Sequence, residues 1–360
     1  MQQEYFGIGC VGRLWDVLAQ IKPSSIFFVH SEDSYHSSGA EEKIFPLLLG
    51  CQIAEFTDFS SNAKIGDLEK GLALFRKKNC DLTLAVGGGS AIDLAKGITI
   101  LADNQGAIED YFSKKQPLQA RTIPFVAIPT TAGTGSEATH FAVIYIGKTK
   151  HSLAHPSLVP DYAIIDPGLT FSLPSYQTAC TGIDALAQAV ESYWSIHSTE
   201  ESKQYAQQAI ALALTHLEKA ANAPASEDRI GMAKAANLAG KAINISFTTA
   251  CHAISYPITS YFVIPHGHAV ALTLPEMVLY NAGVTNDDCL DKRGPGYVRK
   301  TMEELYALFK VQSAEEMKSK LETLLDSIGL QRKLSSLGIK TNEDLGLIIK
   351  NGFNPDRVKN

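Results

Sequence analysis

Several common signatures are missing from this chain of 360 residues. It has no Lys/Arg-rich run, and a formal net charge of -6 provides no positive surface for nucleic acid. No window reaches the roughly 18 to 20 apolar residues of a membrane-spanning helix. The start, "MQQEYFGIGCVGRLWDVLAQIKPSS", lacks the basic head and apolar run of a signal peptide. We therefore expect neither a nucleic-acid-binding protein nor a membrane or secreted one.

Cysteine is also sparse, and no C-x-x-C pair occurs. The six cysteines are widely scattered: Cys10, Cys51, Cys80, Cys180, Cys251 and Cys289. Such spacing favours reduced, packed thiols over a disulfide framework. It predicts a cytoplasmic protein.

The composition is that of a folded globular protein, with 45% hydrophobic and 19% charged residues. The length exceeds what one core usually organises, which favours two domains. In the first half, short apolar runs such as "SSIFFVHS" and "CDLTLAVGGGS" alternate with helical patterns. That alternation predicts a mostly parallel β-sheet covered by helices on both faces.

After about residue 170 the chain changes character. Long Ala- and Leu-rich stretches such as "EESKQYAQQAIALALTHLEKAA" carry apolar residues at spacings of three and four, which predicts helices. We place the boundary near Asp166 to Thr170. The predicted domains are an α/β nucleotide-binding domain over 1–168 and an all-α domain over 169–360.

A glycine loop joins an apolar strand to a helix in "VGGGSAID", residues 86 to 93. The backbone N–H groups of Gly88, Gly89 and Ser90 can face a phosphate there, helped by the helix dipole. Glycines at such a turn serve equally often for chain reversal, and the pattern is not G-x-G-x-x-G.

A second loop of small residues, "PTTAGTGSE" at 129 to 137, also follows a strand. Thr130, Thr131, Gly135 and Ser136 offer hydroxyls and unobstructed amides to a ribose, a pyrophosphate or a carboxamide. Two such loops on adjacent strand ends predict a dinucleotide crevice.

Polar residues cluster in the helical half. In "GIDALAQAVES" Asp184 and Gln188 lie one helical turn apart, and "CHAISYPITSYFVIPHGHAVAL" supplies His252, His266 and His268. Histidine and carboxylate together suit Zn²⁺ or Fe²⁺, whereas a glutamine amide is a poor ligand for either. A hydrogen-bonded turn histidine and a helix carboxylate without metal remain the alternative.

Five segments in this order resemble the iron-containing (group III) alcohol dehydrogenase family, which is related to glycerol dehydrogenases and dehydroquinate synthases. They are "GGGSAIDLAK", "IPTTAGTGSEAT", "AIIDP", "GIDALAQAVES" and "PHGHAVAL". The resemblance covers nearly the whole chain. It implies a dinucleotide-binding α/β domain, a helical domain, and an active site in the cleft between them.

The resemblance also implies a divalent metal, Fe²⁺ or Zn²⁺, held by Asp184, His252 and His266. The family usually has a further histidine ligand where this chain has Gln188, and many members have a histidine where it has Tyr256. Three good ligands remain, so we include Gln188 as a substituted fourth position.

An NAD(P) cofactor is implied in the same way. The residues at the positions of the family's cofactor contacts are Ser31, Gly87, Gly88, Gly89, Ser90, Asp93, Thr130, Thr131, Ser136 and Lys150. Members that prefer NAD carry an aspartate where this chain places Ser31. Both NADH and NADPH therefore stay open.

Within the family, "DALAQAVESYWSIHSTEES" and "HAISYPITSYFVIPHGHAVALTL" are similar to reductases of phosphonoacetaldehyde, which form 2-hydroxyethylphosphonate. The expected reaction is metal-assisted reduction of a small aldehyde, with His268 or Tyr256 relaying the proton. His268, His140 and Lys241 are candidates to offset a phosphonate charge.

Three alternatives remain open: a metal-independent reductase of the maleylacetate reductase kind, which tolerates missing ligands, a lyase-like relative of dehydroquinate synthase, and an inactive nucleotide-binding homologue. The Gln188 and Tyr256 departures favour the last of these. A homodimer is the expected assembly.

Overall fold

The structure is a computed structural model that describes residues 2–353. Its chain divides into two compact units. The first runs as far as Thr131 and resumes over Ser136–Leu173, and the second contains Ala132–Gly135 together with the described residues from Pro174 onward. The predicted boundary at 168/169 falls inside the turn Pro167–Thr170, shortly before the first unit ends. The placement of residues 132–135 in the second unit was not predicted.

Within residues 2–353, the first unit contains a six-stranded parallel sheet in the order β1-β8-β5-β4-β2-β3 and an antiparallel pair, β6 and β7. The strands are β1 Gln3–Phe6, β2 Ser25–His30, β3 Gln52–Phe56, β4 Leu82–Gly87, β5 Phe125–Pro129, β6 Phe141–Ile146, β7 Thr149–Ala154 and β8 Tyr162–Ile165. Its helices are α1 Leu14–Ile21, α2 Glu32–Ser37, α3 Ala40–Ile44, α4 Ile65–Lys78, α5 Gly89–Ala102 and α6 Ile108–Phe112.

The central strands are buried on both faces. In β2, Phe27 and Val29 belong to one apolar cluster, whereas Ile26 and Phe28 belong to another. Successive side chains of a strand point to opposite faces, so each face of the sheet has its own core. The continuous apolar runs in the sequence follow from this double coverage.

The two small-residue loops follow neighbouring parallel strands and start at the carboxyl ends of those strands. Gly87 at the end of β4 is paired in register with Pro129 at the end of β5. Thr130 N then donates to Gly87 O at 3.0 Å. The loops after residues 87 and 129 therefore begin side by side.

The second unit is helical throughout its regular structure, as described to residue 353. Its helices are α7 Ser175–Trp194, α8 Glu200–Asn222, α9 Ser226–Ser246, α10 Ala250–Phe262, α11 His266–Ala271, α12 Leu274–Ala282, α13 Pro295–Phe309, α14 Ala314–Ser327 and α15 Asn342–Gly352. Among the described residues, none of the helices has both the length and the apolar character to cross a bilayer. The predicted fold class, an α/β region followed by a helical one, is confirmed.

Segment 132–135 packs between α7 and α9 of its own unit. A Cβ on Gly133 would lie 2.7 Å from Thr181 Cβ, and a Cβ on Gly135 would lie 2.5 Å from Gly240 Cα. Gly135 also has φ +60°, a conformation that favours glycine. Gly133 and Gly135 are thus required by backbone packing, whereas the sequence suggested that Gly135 offers its amide to a nucleotide.

Replacing Gly240 by alanine should destabilise the protein. Alanine normally stabilises a helix interior by about 0.5 to 1 kcal/mol relative to glycine. At Gly240 the new Cβ would lie 2.5 Å from Gly135 O, so we expect a net loss of about 2 kcal/mol from overpacking. The readout is the free energy of unfolding from urea denaturation.

Gly346→Ala is the matched control, because Gly346 lies on an exposed part of α15 with no atom within 4 Å of a new Cβ. That variant should be neutral or slightly more stable. Equal effects of the two substitutions would contradict the packing explanation.

Candidate active site

Four of the ten predicted cofactor residues lie where β4 meets α5: Gly87, Gly88, Gly89 and Ser90. Gly88 precedes the first turn of α5, and its Cβ position lies 3.3 Å from Thr131 Cγ2, so the two loops touch. Within residues 2–353 the buried Thr130 hydroxyl has no hydrogen-bond partner. A helix N-terminus beside glycines and an unsatisfied hydroxyl can accept the phosphates and hydroxyls of a nucleotide.

Ser31 follows β2, the other neighbour of β4, and so lies at the same sheet edge. Ser90 is in the first turn of α5, where its hydroxyl accepts a hydrogen bond from Asn62 N at 3.1 Å. Lys150 lies on β7, outside the main sheet. The fold therefore groups Ser31 with the two loops, while Lys150 comes from the antiparallel pair.

Asp93 lies near the start of α5 and is partly exposed. Its carboxylate accepts from Ser136 Oγ and, at 3.0 Å, from Val143 N. Burial raises the pKa of Asp93, and the nearby Lys96 opposes that shift. Asp93 and Ser136 were both predicted to contact the cofactor, which stays a prediction. Their hydrogen bond fixes the second loop against α5.

Lys96 was missed by the sequence reasoning. Its buried ammonium donates to Ser136 O at 2.5 Å, Thr139 O at 2.8 Å and Phe141 O at 3.0 Å. Burial lowers the pKa of Lys96 to about 8, against the opposing effect of Asp93. A lysine three residues after Asp93 in the otherwise apolar "AIDLAKGITILA" was the signal that could have revealed this clamp.

The predicted metal ligands come from three helices of the second unit. Asp184 lies on α7, His252 in the first turn of α10, and His266 at the start of α11. One ligand atom from each residue lies within 4.8 Å of the others, and His252 Nε2 is 3.3 Å from Asp184 Oδ1. The convergence that the spacing only permitted is present in the fold.

Gly267 allows α11 to approach α7 this closely. A Cβ on Gly267 would lie 1.9 Å from Cys180 O and 2.8 Å from Asp184 Cβ. Any side chain there would push α11, and with it His266, away from Asp184. The glycine after His266 in "PHG" is therefore a packing requirement of the ligand cluster.

Gln188 lies one turn after Asp184, and its Nε2 donates to Asp184 Oδ2 at 3.1 Å. A carboxylate only accepts, so the amide nitrogen must face Asp184. Among the described residues, the buried Oε1 of Gln188 has no hydrogen-bond partner. Buried polar atoms are rarely left unsatisfied, so this oxygen fits a fourth ligand or a bound water. With two imidazoles and a carboxylate, the donor set suits Zn²⁺ or Fe²⁺.

The hydrogen bond at Nδ1 of each histidine determines which ring nitrogen carries the hydrogen. His252 Nδ1 bonds to a carboxylate oxygen of Glu191, and His266 Nδ1 lies 3.3 Å from Ser255 Oγ. Ser255 Oγ already donates to His252 O at 2.7 Å, so it accepts from His266. In their neutral form both rings thus carry the hydrogen on Nδ1 and present Nε2 as the ligand atom.

Glu191 is a second residue that the sequence reasoning missed. It is fully buried on α7, seven positions after Asp184 and therefore on the same helix face. Burial would raise its pKa, but His252 holds it below its ordinary value. The spacing Asp184, Gln188, Glu191 was visible in "GIDALAQAVES".

The two predicted catalytic residues are placed differently. Tyr256 is half-buried on α10, with its ring stacked on His266 at 6.1 Å between centroids. His268 is buried, with Nε2 2.8 Å from Gln331 O and Nδ1 3.0 Å from the Tyr176 hydroxyl. Burial also lowers the His268 pKa. Tyr256 adjoins the ligand cluster, whereas both nitrogens of His268 are committed elsewhere.

The candidates for phosphonate binding lie in different units. His140 immediately precedes β6 in the first unit, and Lys241 follows Gly240 on α9 in the second.

Comparison with known proteins agrees with this architecture. Residues 2–167 match the model of the iron-containing alcohol dehydrogenases, and residues 178–360 match the C-terminal model of the Fe-containing alcohol dehydrogenase family. The chain belongs to the iron-containing alcohol dehydrogenase family. The predictions of that family and of an alcohol dehydrogenase-type oxidoreductase are confirmed.

Three similar proteins illustrate the family. Long-chain-alcohol dehydrogenase 1 of Geobacillus thermodenitrificans is 36% identical over 81% of this chain and 73% of its own. Phosphonoacetaldehyde reductase of Streptomyces viridochromogenes is 39% identical over 64% of this chain and 61% of its own. The crystal structure of sulfoacetaldehyde reductase from Bifidobacterium kashiwanohense in complex with NAD⁺ has a TM-score of 0.88 and 28% identity, covering 99% of this chain and 93% of that one.

Metal affinity should depend on pH through His252. Burial lowers the His252 pKa, but Glu191 and Asp184 outweigh this and raise it from 6.5 to about 9 in the metal-free protein. Below this pKa the His252 ring carries an extra proton that a metal must displace. The Zn²⁺ affinity should therefore rise about tenfold per pH unit up to about pH 9. Chelator competition at several pH values measures this.

Protonation of His252 opposes metal binding but stabilises the folded metal-free protein. A folded pKa above the unfolded value of 6.5 stabilises the metal-free protein fully below about pH 6.5, and this contribution is lost as pH rises through about 9. Thermal midpoints of metal-free protein test the sign. A Zn²⁺ affinity that stays constant over this range would contradict the assignment.

Gln188→Ala should weaken Zn²⁺ binding by about 10-fold if Oε1 is a ligand or holds the ligand water. Gln208→Ala, which removes an exposed glutamine of α8, is the control and should leave the affinity unchanged. Isothermal titration of both variants provides the comparison. Equal affinities would assign the Gln188 amide a purely structural role.

Proposed function

We propose that this protein is an NAD(P)H-dependent, metal-assisted reductase that converts a small aldehyde to a primary alcohol. The observation that carries the proposal is the convergence of Asp184, His252 and His266 within 4.8 Å in a chain of this family. The paired loops after β4 and β5 support the nucleotide part. Homodimer formation and a cytoplasmic location are carried forward as predictions.

The chemistry divides between the cofactors and the protein. A reduced nicotinamide supplies the hydride. A divalent metal, when bound, polarises a carbonyl oxygen as a Lewis acid. The residues of this chain would hold and orient the metal and the substrate. Asp184 and His252 are buried, which keeps water from the ligand atoms and strengthens local electrostatic interactions.

Proton delivery is assigned to Tyr256 in preference to His268. The Tyr256 phenol belongs to a residue that stacks on His266, next to the ligand cluster. His268 would first have to give up its bonds to Tyr176 and Gln331. A structural role therefore suits His268 better than the proton relay expected from the sequence.

An anionic two-carbon aldehyde is the proposed substrate class, with phosphonoacetaldehyde as its first candidate. Two of the similar proteins carry the names phosphonoacetaldehyde reductase and sulfoacetaldehyde reductase. Both names describe an aldehyde that bears an oxyanion group. Such a group needs a cation, and Lys241 is the candidate from the second unit.

The three retained ligands argue against a metal-independent reductase and against an inactive homologue. A metal-independent reductase has no need for a buried carboxylate facing two oriented imidazoles, and an inactive homologue has no need to keep them. The buried, unsatisfied Oε1 of Gln188 also supports a bound group, because the surrounding residues as described do not satisfy it.

The test follows absorbance of NADH and of NADPH with phosphonoacetaldehyde, glycolaldehyde and butanal, with Fe²⁺ or Zn²⁺ added to metal-free protein. Metal-dependent oxidation of one nucleotide is expected, fastest with phosphonoacetaldehyde. His266→Ala should lower kcat/KM by at least about 100-fold.

His216→Ala is the control, because His216 pairs with Asp228 outside the ligand cluster. Its kcat/KM should stay within about twofold of the parent value, which corresponds to a change of less than about 1 kcal/mol in activation free energy. Unchanged turnover of His266→Ala, or of the metal-free parent, would rule out metal-assisted chemistry. Nucleotide binding without turnover of any aldehyde would favour the inactive homologue.

A further inference from the structure

Glu191 accepts several hydrogen bonds that no sequence pattern indicated. Its Oε1 accepts from Thr249 N at 3.2 Å, Thr249 Oγ1 at 2.8 Å and Cys251 N at 2.8 Å. Its other oxygen, Oε2, accepts from His252 Nδ1. The residue is completely buried. One side chain of α7 thus satisfies both the start of α10 and the ring of a metal-ligand candidate.

The two oxygens have separate tasks. Oε1 takes the place of an N-cap, because the first N–H groups of a helix have no partner inside it. Oε2 fixes the His252 ring and, in the neutral imidazole that binds a metal, keeps the hydrogen on Nδ1 and leaves the lone pair on Nε2. Outer partners of this kind typically change metal affinity by 10- to 100-fold when removed.

We propose that Glu191 is a positioning residue of the metal site, which caps α10 with one oxygen and sets the His252 tautomer with the other. Asp184 lies two turns earlier on the same face of α7, so one rigid helix presents both a ligand and the group that aims a second ligand. Trp194 Nε1 donates to Thr249 Oγ1 at 2.9 Å and extends this support from the same helix.

The proposal rests on the proposed function only where it refers to metal, since the tautomer exists without one. Glu191→Gln tests it sharply. Glutamine has nearly the same shape but one acceptor oxygen, so it cannot serve both the backbone N–H groups and His252 Nδ1. If the amide oxygen caps α10, the NH₂ group faces Nδ1, and the hydrogen moves to Nε2.

Asp228→Asn is a matched control. Asp228 is a buried carboxylate of α9 that accepts from His216 Nδ1 at 2.9 Å with Oδ1 and from Ala225 N at 3.3 Å with Oδ2. It therefore combines a helix cap with a histidine contact, as Glu191 does, but outside the ligand cluster. A general loss of stability should appear in both variants.

The first measurement is the Zn²⁺ affinity of metal-free protein by chelator competition, with thermal midpoints in parallel. Glu191→Gln should lose about 10- to 100-fold in affinity. Asp228→Asn should bind Zn²⁺ like the parent, even if its midpoint falls equally. Parent-like Zn²⁺ affinity in Glu191→Gln would overturn the proposal.

The second measurement is the ¹⁵N spectrum of metal-free protein labelled at histidine, recorded above about pH 9, where the His252 ring is neutral and the spectrum reports which ring nitrogen is protonated. The parent should carry the hydrogen on Nδ1, and Glu191→Gln should lose it. An unprotonated Nδ1 in the parent overturns the proposal even if the variant does not fold. If the parent binds no metal, the metal part of the proposed function fails, and this spectrum alone decides the role of Glu191.

Discussion

The contact between Glu191 and the first turn of α10 is the constraint on which the candidate metal site depends. Helix α7 runs from Ser175 to Trp194 without a break, so Asp184, Gln188 and Glu191 hold fixed places on one face. Because Glu191 binds both His252 and the backbone before it, α10 cannot rotate about its axis without breaking those bonds. Gly267 then brings α11 against α7 and sets His266 in place.

In the first unit, hydrogen-bonded ionic side chains likewise fix the loop after β5. Asp93 and the fully buried Lys96 lie on α5, and their hydrogen bonds reach Ser136, Thr139 and Val143. A charged group is costly to bury unless it is fully bonded, and here the bonds fix the loop after β5 to the helix that follows β4. Both candidate sites are therefore held by ionic side chains that are hydrogen-bonded on several sides. Of these, Asp93 was predicted as a cofactor contact, whereas Lys96 and Glu191 were missed.

Much of this could be predicted from the sequence. The apolar runs and glycine turns identified the parallel sheet, and the regular spacing in the second half identified the helices. Asp184, Gln188, His252 and His266 were singled out before any geometry was known. The reasons for Gly135, Asp93 and Lys96 could not be predicted, because each depends on a partner distant in the chain. A local pattern does not show which carbonyl or backbone atom will lie within 3 Å of a side chain.

The sequence by itself determined the element types, the order of the two units and the family. These follow from residue periodicity and from ordered segments that need no knowledge of distant contacts. Only the tertiary structure decided that the three ligand residues converge, that Gln188 turns its nitrogen to Asp184, and that Glu191 supports His252. Those facts depend on how separate helices pack, and packing is set by shape and by the need to bond every buried polar atom.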